Sequence, residues 1–167
     1  VTAKPESVRR SKPVDPDVVD QIHDRLKGVA VTHRKDPDAG TLRDQFSTIR
    51  QHRNTVSRVI AVLLPKLGRL RSDMARIDQV IDAESAEAVN TGMVSGAKNV
   101  DQRKAKLRDL LSEWHYARAG IRADLHLVEE AVSHAKWVRE ELRYAFEETS
   151  RALASLELEW KIERSAP

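Results

Sequence analysis

The chain contains no cysteine, so neither a disulfide framework nor a thiolate metal site can be built from it. Aromatic residues make up only 4% of the 167, and glycine and proline number six each. That is too little for a broad core or a turn-rich fold. With 33% of the side chains charged, it suits long helices packed through narrow seams. No apolar run approaches the roughly 18 residues of a membrane span. The N-terminus also lacks the charged-then-apolar pattern of a signal peptide. These absences predict a soluble, cytoplasmic protein with no membrane partner.

Catalytic constellations are missing as well. The histidines at 23, 33, 52, 115, 126 and 134 form no His-x-x-x-His pair and no Glu-x-x-His, so neither a zincin nor a di-metal carboxylate helix is written here. Glu130 and His134, four apart, read as a helix-surface pair. Gly40, Gly68, Gly92 and Gly96 stand too far apart to cradle a phosphate. The pairs Glu129–Glu130, Glu140–Glu141 and Glu147–Glu148 are adjacent, so their carboxylates point to different sides of a helix and cannot act as acid and base together. No Ser, Lys or Asp is set beside an activating base. The expectation is a non-enzymatic protein without metal or cofactor.

Heptad periodicity is what the sequence has in abundance. Alternating steps of four and three from Leu107 reach Leu111, Trp114, Arg118, Ile121, Leu125, Val128, Val132, Ala135, Arg139, Leu142, Phe146, Thr149, Leu153, Leu156 and Trp160. Only Arg118, Arg139 and Thr149 interrupt it. A second seam runs Leu42, Phe46, Ile49, Arg53, Val56, Ile60, Leu63, Leu67, Leu70, Met74, Ile77 and Ile81. A period of 3.5 residues held this long means helices that pack along other helices. The second seam stays in phase through Pro65, which predicts a kink rather than a break. Val59, Val62 and Leu64 widen its apolar surface and call for a third covering element.

Caps and turns divide the chain. Residues 1–14 mix Lys, Arg, Ser and Pro without apolar periodicity and read as a flexible basic tail. Asp15–Pro16 is a helix start, and Val18, Val19, Ile22, Leu26 and Val29 give one apolar face, predicting a short helix over 15–34. A turn-rich linker follows at 35–40. Thr41, with Asp44 three residues on, predicts a helix over 41–83; Asn90-Thr-Gly92 and Ser95-Gly96 mark a loop over 84–97; Asn99 with Gln102 opens a helix over 99–164. The fold class is therefore all-α, a long antiparallel helical hairpin with a short N-terminal helix. The last third of the long helix, from Leu142 to Trp160, should overhang its partner. Phe146, Leu153, Leu156 and Trp160 would then need the N-terminal helix or a second copy as cover.

A further row stands opposite the main seam: Tyr116, Trp137, Tyr144 and Leu158, spaced in multiples of seven. It reads as packing against the N-terminal helix or a sister subunit, or as a stacking surface for single-stranded bases.

The net charge is only +3, but it is unevenly spread. Residues 41–75 carry a balance of +5, residues 93–123 of +4 and residues 124–167 of −4. Such polarity points to a polyanionic partner or to head-to-tail assembly. Lys98, Arg103, Lys104, Lys106 and Arg108 form one basic cluster; Arg69, Arg71 and Arg76 belong to another, with Arg43, Arg50, Arg53 and Arg58 further along. In a hairpin the first two flank the loop and are expected to merge into one positive end that holds phosphate without sequence preference. No base-reading module is present.

The stretch Gly96-Ala-Lys98-Asn99-Val-Asp-Gln-Arg103-Lys104-Ala-Lys106, running into a continuous helix that ends near Leu153–Trp160, resembles the C-terminal half of small phage recombination mediators of the UvsY type. Those proteins pass from a helix and a variable loop into a Lys-Ser/Asn-x-x-x-Arg-Lys/Glu start of a long helix. The likeness covers about Val56 to Trp160 and is mainly helical pattern. It implies a ring-forming homo-oligomer that binds single-stranded DNA and helps load a recombinase, with Lys98, Arg103, Lys104 and Lys106 on phosphates. Trp137 and Tyr144 have no counterpart in that pattern, and the acidic C-terminal end departs from a helix lined with DNA. The alternative is a structural or adaptor protein, a virion component or protein-binding regulator, that engages only protein.

Overall fold

The computed structural model describes residues 14–27 and 38–165. Four helices follow in order: α1 (Pro16–Lys27), α2 (Ala39–Asn90), α3 (Val100–Leu110) and α4 (Ser112–Ser165). There is no strand among the described residues, and the two long helices pack against each other. The protein is an all-α helical hairpin. No described helix is long and apolar enough to cross a membrane. The tail at 1–13, the side chain of Val18, the continuation of the first helix to His33 and the linker at 35–37 lie outside the described residues.

The α2 seam is realised along its whole length. Leu42, Ile49, Val56, Leu63, Leu70 and Ile77 fall seven residues apart and are all buried. Each contributes about 1.5–3 kcal/mol by leaving water. The helix runs unbroken through Pro65. It also outruns the seam at both ends. Its N-terminus is capped by Asp38, whose Oδ1 accepts the Thr41 N–H at 2.6 Å, so the cap sits three residues before the expected Thr41. Its C-terminus reaches Asn90 instead of 83, because Ala83–Asn90 is rich in Ala and Glu and needs no apolar repeat to stay helical. Ala88 keeps that last turn on the core.

The stop is a Schellman motif. Met93 N–H donates to the Ala88 carbonyl at 3.0 Å and Gly92 N–H to Val89 at 3.2 Å, with Gly92 left-handed at φ 73°. Buried Val94 then anchors the loop.

The chain divides into two compact units, at Pro65 in α2 and between Glu129 and Glu130 in α4. The loop unit holds α2 from Pro65, the loop, α3 and the start of α4. Arg71 Nη2 lies 2.8 Å from Glu129 and Arg118 Nε 2.8 Å from Asp78, which sets the two helices antiparallel. The predicted long helix is interrupted here at Leu111, whose backbone (φ −103°, ψ 13°) leaves the helical region for one residue. Burial begins at Leu111 and Trp114, not at Leu107; α3 has no buried residue.

The terminal unit holds α1, α2 up to Leu64 and α4 from Glu130. Phe46 meets Phe146 with centroids 4.4 Å apart, and Arg53 lies over the Phe146 ring at 4.9 Å. The α4 seam here is joined by a second buried line, Ala131, Val138 and Ala145, which the heptad reading did not single out. A second line needs a second cover. α1 buries Val19, Ile22 and Leu26 in this same unit and is the remaining described element available to supply it. Thr149 is buried, with its hydroxyl donating to the Ala145 carbonyl at 2.8 Å, so a polar residue sits in the seam without an unmet hydrogen bond.

The seam arginines are resolved by the same device each time. Arg53 places its head over the Phe146 ring, Arg118 pairs with Asp78 and Arg139 lies 3.9 Å from Glu140, so each charged head has a partner.

The expected overhang is shorter than the seam suggested. Leu142, Ala145 and Thr149 are buried and Leu153 and Leu156 half-buried; only from Glu157 onward is every side chain exposed. α2 runs on for seven residues before Phe46, about two turns, which carries the pairing past the Phe46–Phe146 contact.

Candidate nucleic-acid interface

The loop unit carries the basic residues singled out from the sequence. Asn99 caps α3, its side chain accepting the Gln102 N–H at 2.8 Å, while Gln102 Oε1 accepts the Lys98 N–H at 2.8 Å. This is the reciprocal capping box expected from Asn99 and Gln102, shifted by one donor to Lys98. It fixes the first turn, and the four cations of α3 follow from it. Lys106 Nζ donates to the Ser95 carbonyl at 3.1 Å and ties the helix to the loop. Lys98, Arg103, Lys104 and Arg108 are exposed and make no ion pair among the described residues. Segment 98–108 holds five basic residues against Asp101 alone.

The second cluster does not join the first. Arg71 is level with Glu129, and Asp78 with Arg118, so Arg71 and Arg76 are level with the part of α4 between those residues. Arg118 itself is ten residues beyond Arg108. The interruption at Leu111 lies between them, so the second cluster is level with α4 and not with α3, and the expected single positive end is two separate patches. The merger failed because both clusters were counted from a loop at 84–97. The added turns of α2 move its arginines away from the bend. Arg71 is moreover held by its carboxylate partner, whereas Arg69 and Arg76 are exposed.

The aromatic row is not covered. Tyr116 in the loop unit is 79% exposed; in the terminal unit Trp137 is 61% and Tyr144 55% exposed, and Leu158 is also open to solvent. Packing of these rings on the N-terminal helix is therefore not what holds them. His134 stacks beside Trp137 with centroids 6.1 Å apart, and Arg143 lies over Tyr144 at 5.2 Å. A side-chain hydrogen bond to Tyr144, and then the charge of Glu140, push the Arg143 guanidinium still further above its ordinary range, so it stays charged at any accessible pH. Glu140 and Glu141 straddle the line of rings, an arrangement that their adjacency in sequence could have signalled.

The interface residues expected at the C-terminal end divide. Phe146 is packed on Phe46, Leu153 and Leu156 are half-covered, and Trp160 is 64% exposed with Arg164 over its ring at 4.5 Å. Similarly, Val59 is buried whereas Val62 and Leu64 remain exposed, so the third element expected over all three reaches only one. Among the described residues no group of three His, Asp or Glu side chains could hold a metal ion.

No protein family, characterised protein or solved structure matches the chain.

Proposed function

We propose that the protein is a non-enzymatic, oligomeric accessory protein that binds the phosphate backbone of single-stranded nucleic acid through α3, in the manner of a phage recombination mediator acting in the host cytoplasm. One observation supports this above others: α3 is a capped helix with no buried residue and an excess of unpaired cations. Nothing in the core requires that helix, so its sequence is available for a ligand. Assembly is assigned to the uncovered end of α4, where Trp160 and Ile162 extend the apolar surface beyond the reach of α2.

Fluorescence anisotropy with a single-stranded oligonucleotide at two salt concentrations tests the reading. With about four phosphate contacts, affinity falls about fifty-fold between 50 and 200 mM salt. Reversing Lys104 and Arg108 to Glu abolishes binding at the higher salt. Absence of binding at low salt removes the nucleic-acid reading and leaves the adaptor one, a hairpin that engages only protein; the open Trp137 and Tyr144 rings favour that second reading. Salt-sensitive binding that survives both reversals moves the site to another surface, Arg69 and Arg76 first.

A further inference from the structure

In the terminal unit α2 has an outer face that the hairpin leaves unused. At about 100° per residue, Arg43, Ser47, Arg50, Asn54, Ser57 and Arg58 fall within an arc of about 100°. All six are exposed. Val59 is buried and stands about 180° from Arg50, so whatever covers Val59 lies on the other side of the helix.

The charge on this face has one sign. Between Ala39 and Leu64 the single acidic residue is Asp44, and none follows until Asp73. Arg43, Arg50 and Arg58 make no ion pair among the described residues. α4 does not neutralise them near the Phe46–Phe146 contact, because Glu140 and Glu147 are already paired with Arg139, Arg143 and Arg151. Glu141 points away from α2, about 140° round the helix from Phe146. The field of the row therefore stays positive and attracts a polyanion.

The spacing and the side chains between the arginines narrow the choice of polyanion. The three arginines are seven and eight residues apart, or about 10 and 12 Å along the axis. A row suits a linear run of phosphates better than one isolated group. Ser47, Asn54 and Ser57 add hydroxyls and an amide, which bind phosphate and sugar oxygens without reading bases. No ring lies in the arc, and the nearest, Phe46, is packed on Phe146. Without stacking, such a face gains from phosphate charge alone. A duplex offers about one charge per 1.7 Å, twice the density of either strand.

We propose that the Arg43–Arg58 face of α2 docks duplex nucleic acid, taking the phosphate backbone lengthwise and without base specificity. The surface is distinct from the α3 patch and does not rest on the single-strand reading.

Fluorescence anisotropy on the full chain, with a blunt DNA duplex and with one of its strands, tests the proposal. The duplex binds at 50 mM salt, and with three phosphate contacts its affinity falls about forty-fold by 200 mM. Arg50→Gln with Arg58→Gln lowers duplex affinity at least tenfold and reduces the logarithmic salt slope by about two, with helical circular dichroism unchanged. Arg50→Lys with Arg58→Lys keeps duplex affinity within about threefold, since the charges remain. Lys104→Glu with Arg108→Glu leaves duplex binding unchanged. A duplex that does not bind at 50 mM salt, or that binds the Gln variant with an unaltered salt slope, overturns the proposal. Loss of duplex binding on reversing Lys104 and Arg108 also overturns it and returns the phosphate contacts to α3. Binding to phosphatidylserine vesicles by a chain that ignores the duplex overturns it in favour of an anionic membrane surface. Duplex binding by a chain that ignores single strands supports this inference and removes the α3 reading alone.

Discussion

Two helical segments of this protein are uncovered for opposite reasons. α3 is helical with no seam in use: its hydrogen bonds are secured by the Asn99–Gln102 cap, and its side chains all stand in water or half in water. The last turns of α4 have the seam but no partner. Trp160 continues the heptad beyond the covered part of the seam, and from Glu157 onward every described side chain is exposed. Helix formation and helix packing are therefore separable here. One segment shows what caps and propensity do without burial, and the other what apolar periodicity looks like without a recipient. Both differ from the middle of α4, where cap-independent helix and covered seam coincide at Val128, Ala135 and Leu142.

Substitutions can sharpen that contrast in order of size. Leu142→Ala removes a fully packed seam residue and lowers unfolding free energy by about 2–5 kcal/mol in urea melts. A loss under ~1 kcal/mol would place Leu142 among the uncovered residues and erase the distinction. Gly92→Ala forces a Cβ into the left-handed stop of α2, where it would meet only Ser95 at an ordinary 3.9 Å, so backbone strain alone costs about 1–2 kcal/mol. Asn99→Ala removes the cap of α3 and destabilises that helix by about 1 kcal/mol. Amide exchange reads this as faster exchange over 100–110, the helix with no buried residue, while α2 is unchanged. Glu129→Gln breaks an exposed ion pair with Arg71 and shifts stability by less than ~1 kcal/mol. Trp160→Ala, despite deleting a large apolar side chain, leaves stability at low protein concentration within ~0.5 kcal/mol. A larger loss would mean that the end of α4 is covered within the chain.

Much of the hairpin was legible because burial has a period and the period is written in Leu, Ile and Val. Every member of the Leu42–Ile77 line is buried as that period required. The ends were less legible, since Ala83–Asn90 is helical through Ala and Glu, which leave no periodic trace. Thr41 reads as the cap and Asp38 as part of the linker, because both residue types cap helices and local sequence does not rank them. The Ala131–Val138–Ala145 line escaped notice because alanine is counted as weakly apolar although it allows close approach. The break at Leu111 has no residue signal at all: no glycine or proline stands there. At the candidate site the cation identities were plain, but their separation depended on the length of α2, so an error of two turns at the loop divided one patch into two.

A seam that repeats every seven residues looks the same after a slide of seven, and apolar contacts alone would tolerate several alignments of α2 on α4. The punctuating charges remove that degeneracy. Moved by one heptad, Arg118 would exchange Asp78 for either Arg71 or Ser85, and Glu129 would exchange Arg71 for either Leu64 or Asp78. In each direction both pairs of opposite charge are lost and one like-charge meeting is gained, Arg118 with Arg71 or Glu129 with Asp78. Arg118, which seemed to spoil the heptad, thus acts with Arg71 as the teeth of a key, weak in energy and strong in selecting a single alignment.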